Sequence, residues 1–177
     1  LKRKEDLVFY VDFCPEFDAD ILRENIQPKE YLTKKVTTFA REHNLQENGI
    51  GIHIRYSDKK PTSGLDPLFD KLNKIEGIQN RTIFLATDNV EIQDLIISKY
   101  KKVVIYEKFQ PKLTGEGLHQ WALYQKEDDK KLLMFEESII DMWLLASCKT
   151  LFYQGNSSFS GVSAFLKKKK NCIDWMK

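Results

Sequence analysis

Charged and polar side chains follow two β-strand patterns, at the points where the patterns end. Isoleucine occupies every second position from Gly49 to Ile54, so His53 and Arg55 fall on the opposite face of this predicted strand, near its carboxyl end. Asp88 comes directly after a second predicted strand, Thr82–Ala86. Open α/β sheets bind ligands at the carboxyl ends of their strands. We therefore expect these three side chains to face one edge of a sheet.

Small hydroxyl residues separate a predicted strand, Leu151–Gln154, from a predicted apolar helix that ends at Leu166. The connection includes Ser157 and Ser158. Backbone N–H groups, the helix dipole and serine hydroxyls together make an anion site at a helix start. Ordinary N-capping by a serine is the alternative. Two serines after Gly-Asn exceed what a cap needs, so we favour the phosphate interpretation.

An aspartate, Asp141, lies among apolar neighbours in a predicted helix, Glu136–Cys148. Such a carboxylate either has a local partner or is available for a ligand, and its position leaves both open. A carboxylate can accept the two donors on the Watson–Crick edge of guanine. Arg55 can bind a diphosphate bidentately and stabilise the charge that develops as it leaves. Together these residues predict a nucleotide-diphosphate site.

A second acidic motif offers a competing, metal-dependent interpretation. Asp18 and Asp20 form a DxD pair, which can hold a divalent metal on a nucleotide diphosphate. Acidic pairs at this spacing are common by chance, and this pair lies in a charged loop. We therefore expect no metal site and no cofactor.

The order of the patterns is strand, helix, strand, helix, strand, which is typical of a parallel sheet with crossover helices. The predicted fold is α/β, a Rossmann-like parallel sheet with helices on both faces. Residues 1–48 are predicted to be a lead-in strand and helix of the same domain, and residues 49–177 its core. The loop Phe109–Asp129, which contains His119, is long enough to suggest a function. The other predicted strands are Leu7–Phe13 and Lys102–Tyr106, and the other predicted helices are Lys29–His43, Asp66–Ile75 and Val90–Lys99.

Composition limits the possible classes of protein. The chain has 177 residues, of which 42% are hydrophobic, and this suits one domain with a proper core. A net charge of +2 argues against a nucleic-acid partner, so Lys167–Lys170 is interpreted as a solvated helix end. The cysteines, Cys14, Cys148 and Cys172, form no CxxC pattern and predict neither zinc nor disulfides.

No apolar run approaches the length of a membrane span. We expect a reducing, cytoplasmic location, with peripheral attachment at a membrane surface as a second option. Because the chain begins with Leu1 and not with methionine, we expect it to be part of a longer protein.

Three ordered motifs resemble those of the GDP-fucose-dependent fucosyltransferases, the superfamily of the α1,6-, α1,2- and protein O-fucosyltransferases. The stretch from His53 to Lys59 is similar to the HxRxxD motif, and Phe84–Asp88 is similar to the second motif. Asp141–Cys148, followed by Asn156–Ser160, is similar to the third. Three motifs in order are much more specific than HxRxxD alone.

The resemblance implies the carboxyl-terminal, donor-binding half of a GT-B glycosyltransferase. It implies that Arg55 holds the β-phosphate, that His53 and Asp141 lie against guanine or ribose, and that Ser157 or Ser158 contacts the diphosphate. Arg55 and His53 are the catalytic candidates. Asp58, Lys59 and Asp88 match motif positions of the donor site whose roles the sequence does not separate.

The activity implied is an inverting, metal-independent transfer of fucose from GDP-fucose to a hydroxyl of a glycan or glycolipid acceptor. An amino-terminal acceptor domain would then lie outside this chain. The chain departs from the motifs of this superfamily in two ways. Tyr56 stands where a second arginine is common. The motifs also mix α1,6- and α1,2-like features, so the linkage stays open. The alternative is a GDP-binding module that is inactive without its acceptor domain.

Overall fold

The computed structural model describes residues 26–109 and 128–177. The predicted strand Leu7–Phe13, Cys14, the Asp18 and Asp20 pair, and His119 lie outside the described residues. The division of the chain into residues 1–48 and 49–177 stays a prediction.

Five parallel strands form one sheet in the order β3-β2-β1-β4-β5. Their bounds are β1 Gly49–Ile54, β2 Thr82–Thr87, β3 Val103–Val104, β4 Thr150–Tyr153 and β5 Cys172–Asp174. The central strand β1 pairs with β2 through Ile54 and Thr87 and with β4 through Ile52 and Phe152, so their carboxyl ends lie side by side. The predicted Rossmann-like α/β fold is confirmed.

Helices connect the strands and cover both faces of the sheet. The bounds are α1 Glu30–Glu42, α2 Leu45–Asn48, α3 Asp66–Asn73, α4 Val90–Lys99, α5 Asp128–Ser147 and α6 Ser158–Leu166, with a 3-10 turn at Ile78–Asn80. The predictions of α1, α3 and α4 are confirmed to within two residues at each end. Asn89 follows β2 and caps α4, because its side chain accepts a hydrogen bond from the Ile92 N–H at 2.9 Å.

Alternation along β1 separates two hydrophobic layers. Ile50, Ile52 and Ile54 are fully buried against residues of α3 and α4. On the other face, a Cβ built on Gly51 would lie 3.1 Å from Cys148 Sγ, so the end of α5 comes close to the strand there. His53 points to this second face, as its spacing from the isoleucines predicts.

Two predicted elements need correction, and one strand was not predicted. The strand expected at 102–106 pairs only at Val103–Val104, because it is the edge of the described sheet and has β2 as its one partner there. Helix α5 is already formed at Asp128, the first described residue of this part of the chain and well before the predicted start at Glu136, so the predicted irregular segment ends too late. Its first turns expose Leu132, Leu133 and Phe135, which hides the amphipathic pattern. Strand β5 was not predicted, since three residues are too few to show alternation.

Within residues 26–109 and 128–177, no helix combines the length and the apolar character that crossing a membrane requires.

Candidate functional site

The carboxyl edge of the sheet brings together the residues that follow β1, β2 and β4. Arg55 follows β1, Asp88 follows β2, and Ser157 follows β4. The three motifs, which are distant in the sequence, meet here because the strands that carry them are neighbours. His53 and Asp141 approach the same edge from the face covered by α5 and α6.

Arg55 is held in place by Asp58. Its Nε lies 2.7 Å from one carboxylate oxygen of Asp58 and its Nη2 contacts the other, which makes a bidentate ion pair. The hydrogen bond to Asp58 raises the pKa of Arg55 above its usual value. The pair engages two of the five N–H donors of the guanidinium, and 22% of the side chain stays exposed. An oriented, positively charged group with remaining donors suits an anion such as a diphosphate.

Asp88 organises the loop that follows β1. Its Oδ1 accepts hydrogen bonds from the backbone N–H groups of Tyr56 at 2.7 Å and Ser57 at 3.2 Å, and its Oδ2 accepts one from the Ser57 hydroxyl. Charge-assisted hydrogen bonds of this kind are about twice as strong as neutral ones. The second motif therefore fixes the backbone of the first, directly beside Arg55.

Gln154, which the sequence motifs did not indicate, ties the first and third motifs together. Its side chain is fully buried, and its Oε1 accepts from the Arg55 N–H at 2.8 Å. Its Nε2 donates to Asn156 Oδ1 at 2.9 Å and to the Lys59 carbonyl at 3.4 Å. Lys59 Nζ in turn donates to the Asn156 carbonyl at 2.8 Å. The sequence does place Gln154 as a polar residue at the end of the predicted strand Leu151–Gln154. Its role could be recognised only once the strand order showed that this strand lies beside β1.

Ser157 occupies the N-cap position of α6 without capping it. Its hydroxyl is buried and makes no hydrogen bond with the protein, whereas its backbone N–H donates to the Gln154 carbonyl at 2.9 Å. The alternative interpretation, ordinary capping by the Ser157 side chain, is wrong. Ser158 begins the helix and is exposed. A Cβ on Gly155 would lie 2.1 Å from Asp174 Oδ2, so a side chain there would require the Asp174 carboxylate to move.

His53 is buried and stacks on Phe159 of α6. The two ring centroids are 4.9 Å apart and the planes differ by 25°; the histidine is 6% exposed. Burial, with smaller contributions from the positive charges of Lys108 and Arg55, lowers the pKa of His53 to about 3. The ring is therefore neutral at physiological pH, and its buried Nδ1 makes no hydrogen bond.

Asp141 is 2% exposed and forms an ion pair with Lys108, which follows β3. The pair engages Oδ2, while the buried Oδ1 makes no hydrogen bond. Burial raises the pKa of Asp141, and the attraction to Lys108 opposes this shift. One helical turn earlier, Glu137 accepts a hydrogen bond from the Phe109 N–H at 3.1 Å. Lys108 and Glu137 were not predicted as site residues, because Lys108 lies 33 residues from its partner Asp141 and only the packing of α5 brings them together.

The buried side-chain atoms that lack a hydrogen bond coincide with the predicted site. Among residues 26–109 and 128–177 they are three in number, namely His53 Nδ1, Asp141 Oδ1 and Ser157 Oγ. Leaving such an atom unpaired costs about 1–3 kcal/mol, and native proteins contain few of them. All three belong to residues proposed from the sequence to contact a nucleotide.

Two further features bear on the site. The part of the chain that the structure describes contains no group of three or more His, Cys, Asp or Glu side chains that could hold a metal ion. A depression of about 510 Å³ lies beside β3 and is lined by Gln93, Ile105, Tyr106, Glu107 and Lys108. It reaches the site only through Lys108 and includes neither Arg55 nor Ser157, so we do not equate it with the anion site.

Solved structures share this architecture. The structure of NodZ α1,6-fucosyltransferase co-crystallised with GDP superimposes with a TM-score of 0.59 over 83% of this chain and 45% of that chain, at 19% sequence identity. NodZ soaked with GDP-fucose gives the same values, and a selenomethionine NodZ from Bradyrhizobium matches with 18% identity and a TM-score of 0.59. The chain has a fucosyltransferase-like fold.

Among the comparisons with known proteins, the match comes from the solved structures. No protein-family profile matches the sequence, and no curated protein matches it either. The chain spans less than half the length of the NodZ structures that it matches. Within the fucosyltransferase-like fold, the HxRxxD loop and the Ser157 helix start lie on neighbouring strands, β1 and β4.

Proposed function

We propose that this chain is the donor-binding half of a glycosyltransferase that uses GDP-fucose. The observation that carries the proposal is the set of three buried, unpaired polar atoms around Arg55 at the carboxyl edge of the sheet. The fucosyltransferase-like fold supports it, as do the GDP and GDP-fucose named for the NodZ structures.

In the proposed complex the diphosphate lies between Arg55 and the start of α6. The N–H donors of Arg55 that Asp58 does not engage bind the β-phosphate, and the Ser157 hydroxyl with the helix N-terminus binds the other oxygens. Asp58, Asp88 and Lys59 act as positioning residues. Positive charge from Arg55 and the helix dipole replaces the divalent metal that other transferases use on the diphosphate.

The guanine would meet Asp141 and His53. The unpaired Oδ1 of Asp141 can accept N–H donors of guanine, which adenine does not present in the same way. His53 is neutral and can offer Nδ1 to the base or the ribose, according to its tautomer. Both side chains are already ordered, by Lys108 and by Phe159, so binding would require little rearrangement.

The proposed reaction is an inverting transfer. An acceptor hydroxyl of a glycan or glycolipid attacks the anomeric carbon as the bond between that carbon and the diphosphate oxygen breaks. The hydroxyl proton passes to solvent or to a base on the acceptor side, and the bonding electrons leave with GDP. Arg55 stabilises the charge that GDP acquires. His53 keeps a nucleotide-binding role in this proposal, because a histidine with a pKa of about 3 is a weak base at neutral pH.

Calorimetry with GDP, GDP-fucose, UDP and ADP tests the proposal directly. We expect GDP and GDP-fucose to bind and the other two nucleotides to bind at least about tenfold more weakly. Arg55→Ala should weaken GDP binding by about 100-fold, since a charge-assisted bidentate contact is lost. The proposal would be overturned if none of the four nucleotides bound. It would also be overturned if the Arg55→Ala variant bound GDP as tightly as the wild type.

A second candidate is a GDP-binding module with no transferase activity of its own. The observation that favours it is coverage of only 45% of the NodZ chains. Selective GDP binding without hydrolysis or transfer of GDP-fucose would support the module, and turnover by this chain with an added acceptor would exclude it.

Retention of turnover after chelation would exclude the metal-dependent use of Asp18 and Asp20. The cytoplasmic location also stays a proposal.

A further inference from the structure

Lysines gather at the amino edge of the sheet, opposite the candidate site. Because the five strands are parallel, the residues that precede them share this edge. Lys101 and Lys102 precede β3, Lys149 precedes β4, and Lys168–Lys170 come just before β5. All six side chains are exposed. We call this surface the lysine edge.

The lysine edge comprises two groups of lysines, one beside the start of β3 and one beside the starts of β4 and β5, and the starts of β2 and β1 lie between them. On the β3 side, the Ile83 N–H donates to the Lys102 carbonyl at 2.8 Å. On the β5 side, the Leu151 N–H donates to the Asn171 carbonyl at 2.9 Å, and Lys167 Nζ contacts the Cys148 carbonyl. Five strands at a spacing of about 4.8 Å span about 19 Å. Two exposed carboxylates, Glu47 and Glu76, precede β1 and β2 and leave the edge strongly positive.

The backbone of the lysine loop, residues 167–170, does not explain its lysines. The N–H groups of Lys168 and Lys169 donate to the carbonyls of Phe165 and Ala164, each at 2.9 Å, which is a Schellman motif at the end of α6. Lys168 and Lys169 have φ values of 56° and 53°, in the left-handed region where glycine is the usual residue. Glycine would satisfy this turn with less strain. Lys168 and Lys169 therefore occupy positions where the backbone favours glycine.

We propose that the lysine edge binds an anionic lipid surface. Lysine is a compact point charge that suits a diffuse layer of headgroups, whereas arginine is favoured for bidentate contact with a single phosphate. The two lysine groups lie toward opposite ends of an edge about 19 Å long, which exceeds the Debye length of about 8 Å at physiological salt, so together they fit an extended anionic surface better than one bound anion. The overall net charge of only +2 is low for a nucleic-acid-binding domain.

The proposed orientation keeps the two functions separate. With the lysine edge against the bilayer, the carboxyl edge that carries Arg55 and Ser157 faces away from it. Lipid binding and nucleotide binding should therefore not compete. The proposal does not depend on the identity of the nucleotide.

The test compares two variants that lose equal charge. Lys168→Gly/Lys169→Gly removes two charges from the lysine edge and places glycine where the backbone favours it. Lys29→Gln/Lys34→Gln removes two charges from exposed positions before and within α1, away from this edge. Sedimentation with vesicles of about 30% phosphatidylserine in phosphatidylcholine should show about fivefold weaker binding for each lysine lost from the lysine edge, about 30-fold in all. The control variant should lose less than about threefold.

Each possible outcome decides the proposal. It is supported by binding that requires phosphatidylserine, weakens with salt and is lost selectively in the glycine variant, while circular dichroism is unchanged. It is overturned if the wild-type chain does not bind these vesicles, if pure phosphatidylcholine binds equally well, or if both variants lose the same affinity. Tighter binding to duplex DNA or RNA than to the vesicles, at equal salt, would replace it with a nucleic-acid role.

Discussion

The two edges of the sheet both carry lysines, but in opposite physical settings. At the carboxyl edge, Lys108 is 10% exposed and is paired with the buried Asp141. At the amino edge, Lys149 and the other lysines of the lysine edge are exposed to solvent. A buried charge needs its partner for stability, whereas an exposed charge acts through a potential that salt screens. Substitutions at the two edges should therefore change different quantities.

The largest expected effect is on the free energy of unfolding, and it should differ between the buried Lys108 and the exposed Lys149. Lys108→Ala leaves the Asp141 carboxylate buried without a partner, and we expect it to lower the free energy of unfolding by about 3–5 kcal/mol. Lys149→Ala removes an exposed charge and should change that free energy by less than about 0.5 kcal/mol. Urea unfolding measures both. Adding Asp141→Asn to Lys108→Ala should recover part of the loss, and losses of equal size in the two single variants would contradict the comparison.

The next prediction uses two glutamines with similar contacts at opposite edges. Gln154→Glu places a carboxylate oxygen against the Lys59 carbonyl and Asn156 Oδ1, where Nε2 now donates to both. We expect about 2–3 kcal/mol lower stability from this buried mismatch, and GDP affinity at least about tenfold lower because the loop that carries Arg55 loosens.

The control for that prediction is Gln79→Glu. Gln79 Nε2 donates to the Lys99 carbonyl at 3.2 Å and its Oε1 accepts from the Lys101 N–H at 3.3 Å, but the side chain is exposed at the amino edge. Because water can replace these bonds, stability should change by less than about 0.5 kcal/mol and GDP affinity should not change. If Gln154→Glu behaved like Gln79→Glu, the positioning role of Gln154 would be wrong.

A third prediction concerns pH. The pKa of His53 falls from 6.5 in the unfolded chain to about 3 in the folded chain. The unfolded chain therefore binds a proton that the folded chain does not in this range, and the stability that His53 contributes is complete above pH 6.5 and declines as the pH falls. By about pH 5 the loss should be about 2 kcal/mol.

The measurement is the slope of unfolding free energy against pH in the wild type and in His53→Gln. Burial raises the pKa values of Asp141 and Glu137, which act in the opposite direction, so only the difference between the two slopes reports on His53. His43→Gln, at the end of α1, serves as the control histidine variant. An unchanged slope in His53→Gln would show that the imidazole accepts a proton in the folded chain.

The sequence predicts one edge of this molecule much better than the other. His53, Arg55, Asp88 and Ser157 were identified because each lies near or just after the carboxyl end of a strand pattern, and these ends of parallel strands lie at one edge of the sheet. Gln154 and Lys108 were missed because their partners are 99 and 33 residues away, and only strand order brings them together. The Lys167–Lys170 run was interpreted as a solvated helix end. Its proximity to Lys149 depends on β5, which is too short to be predicted.

The smallest expected effect is the change in stability when glycine replaces a lysine of positive φ in the lysine loop. Lys168 has a φ of 56°, where an L-residue is strained relative to glycine by about 1 kcal/mol. Lys168→Gly should therefore leave stability unchanged or raise it by up to about 1 kcal/mol, even though glycine gains freedom in the unfolded chain. Lys170→Gly, at a position without positive φ, should lower it slightly. If urea unfolding gave a clear loss for Lys168→Gly, the lysine would stabilise the loop through its side chain, and its presence would need no lipid partner.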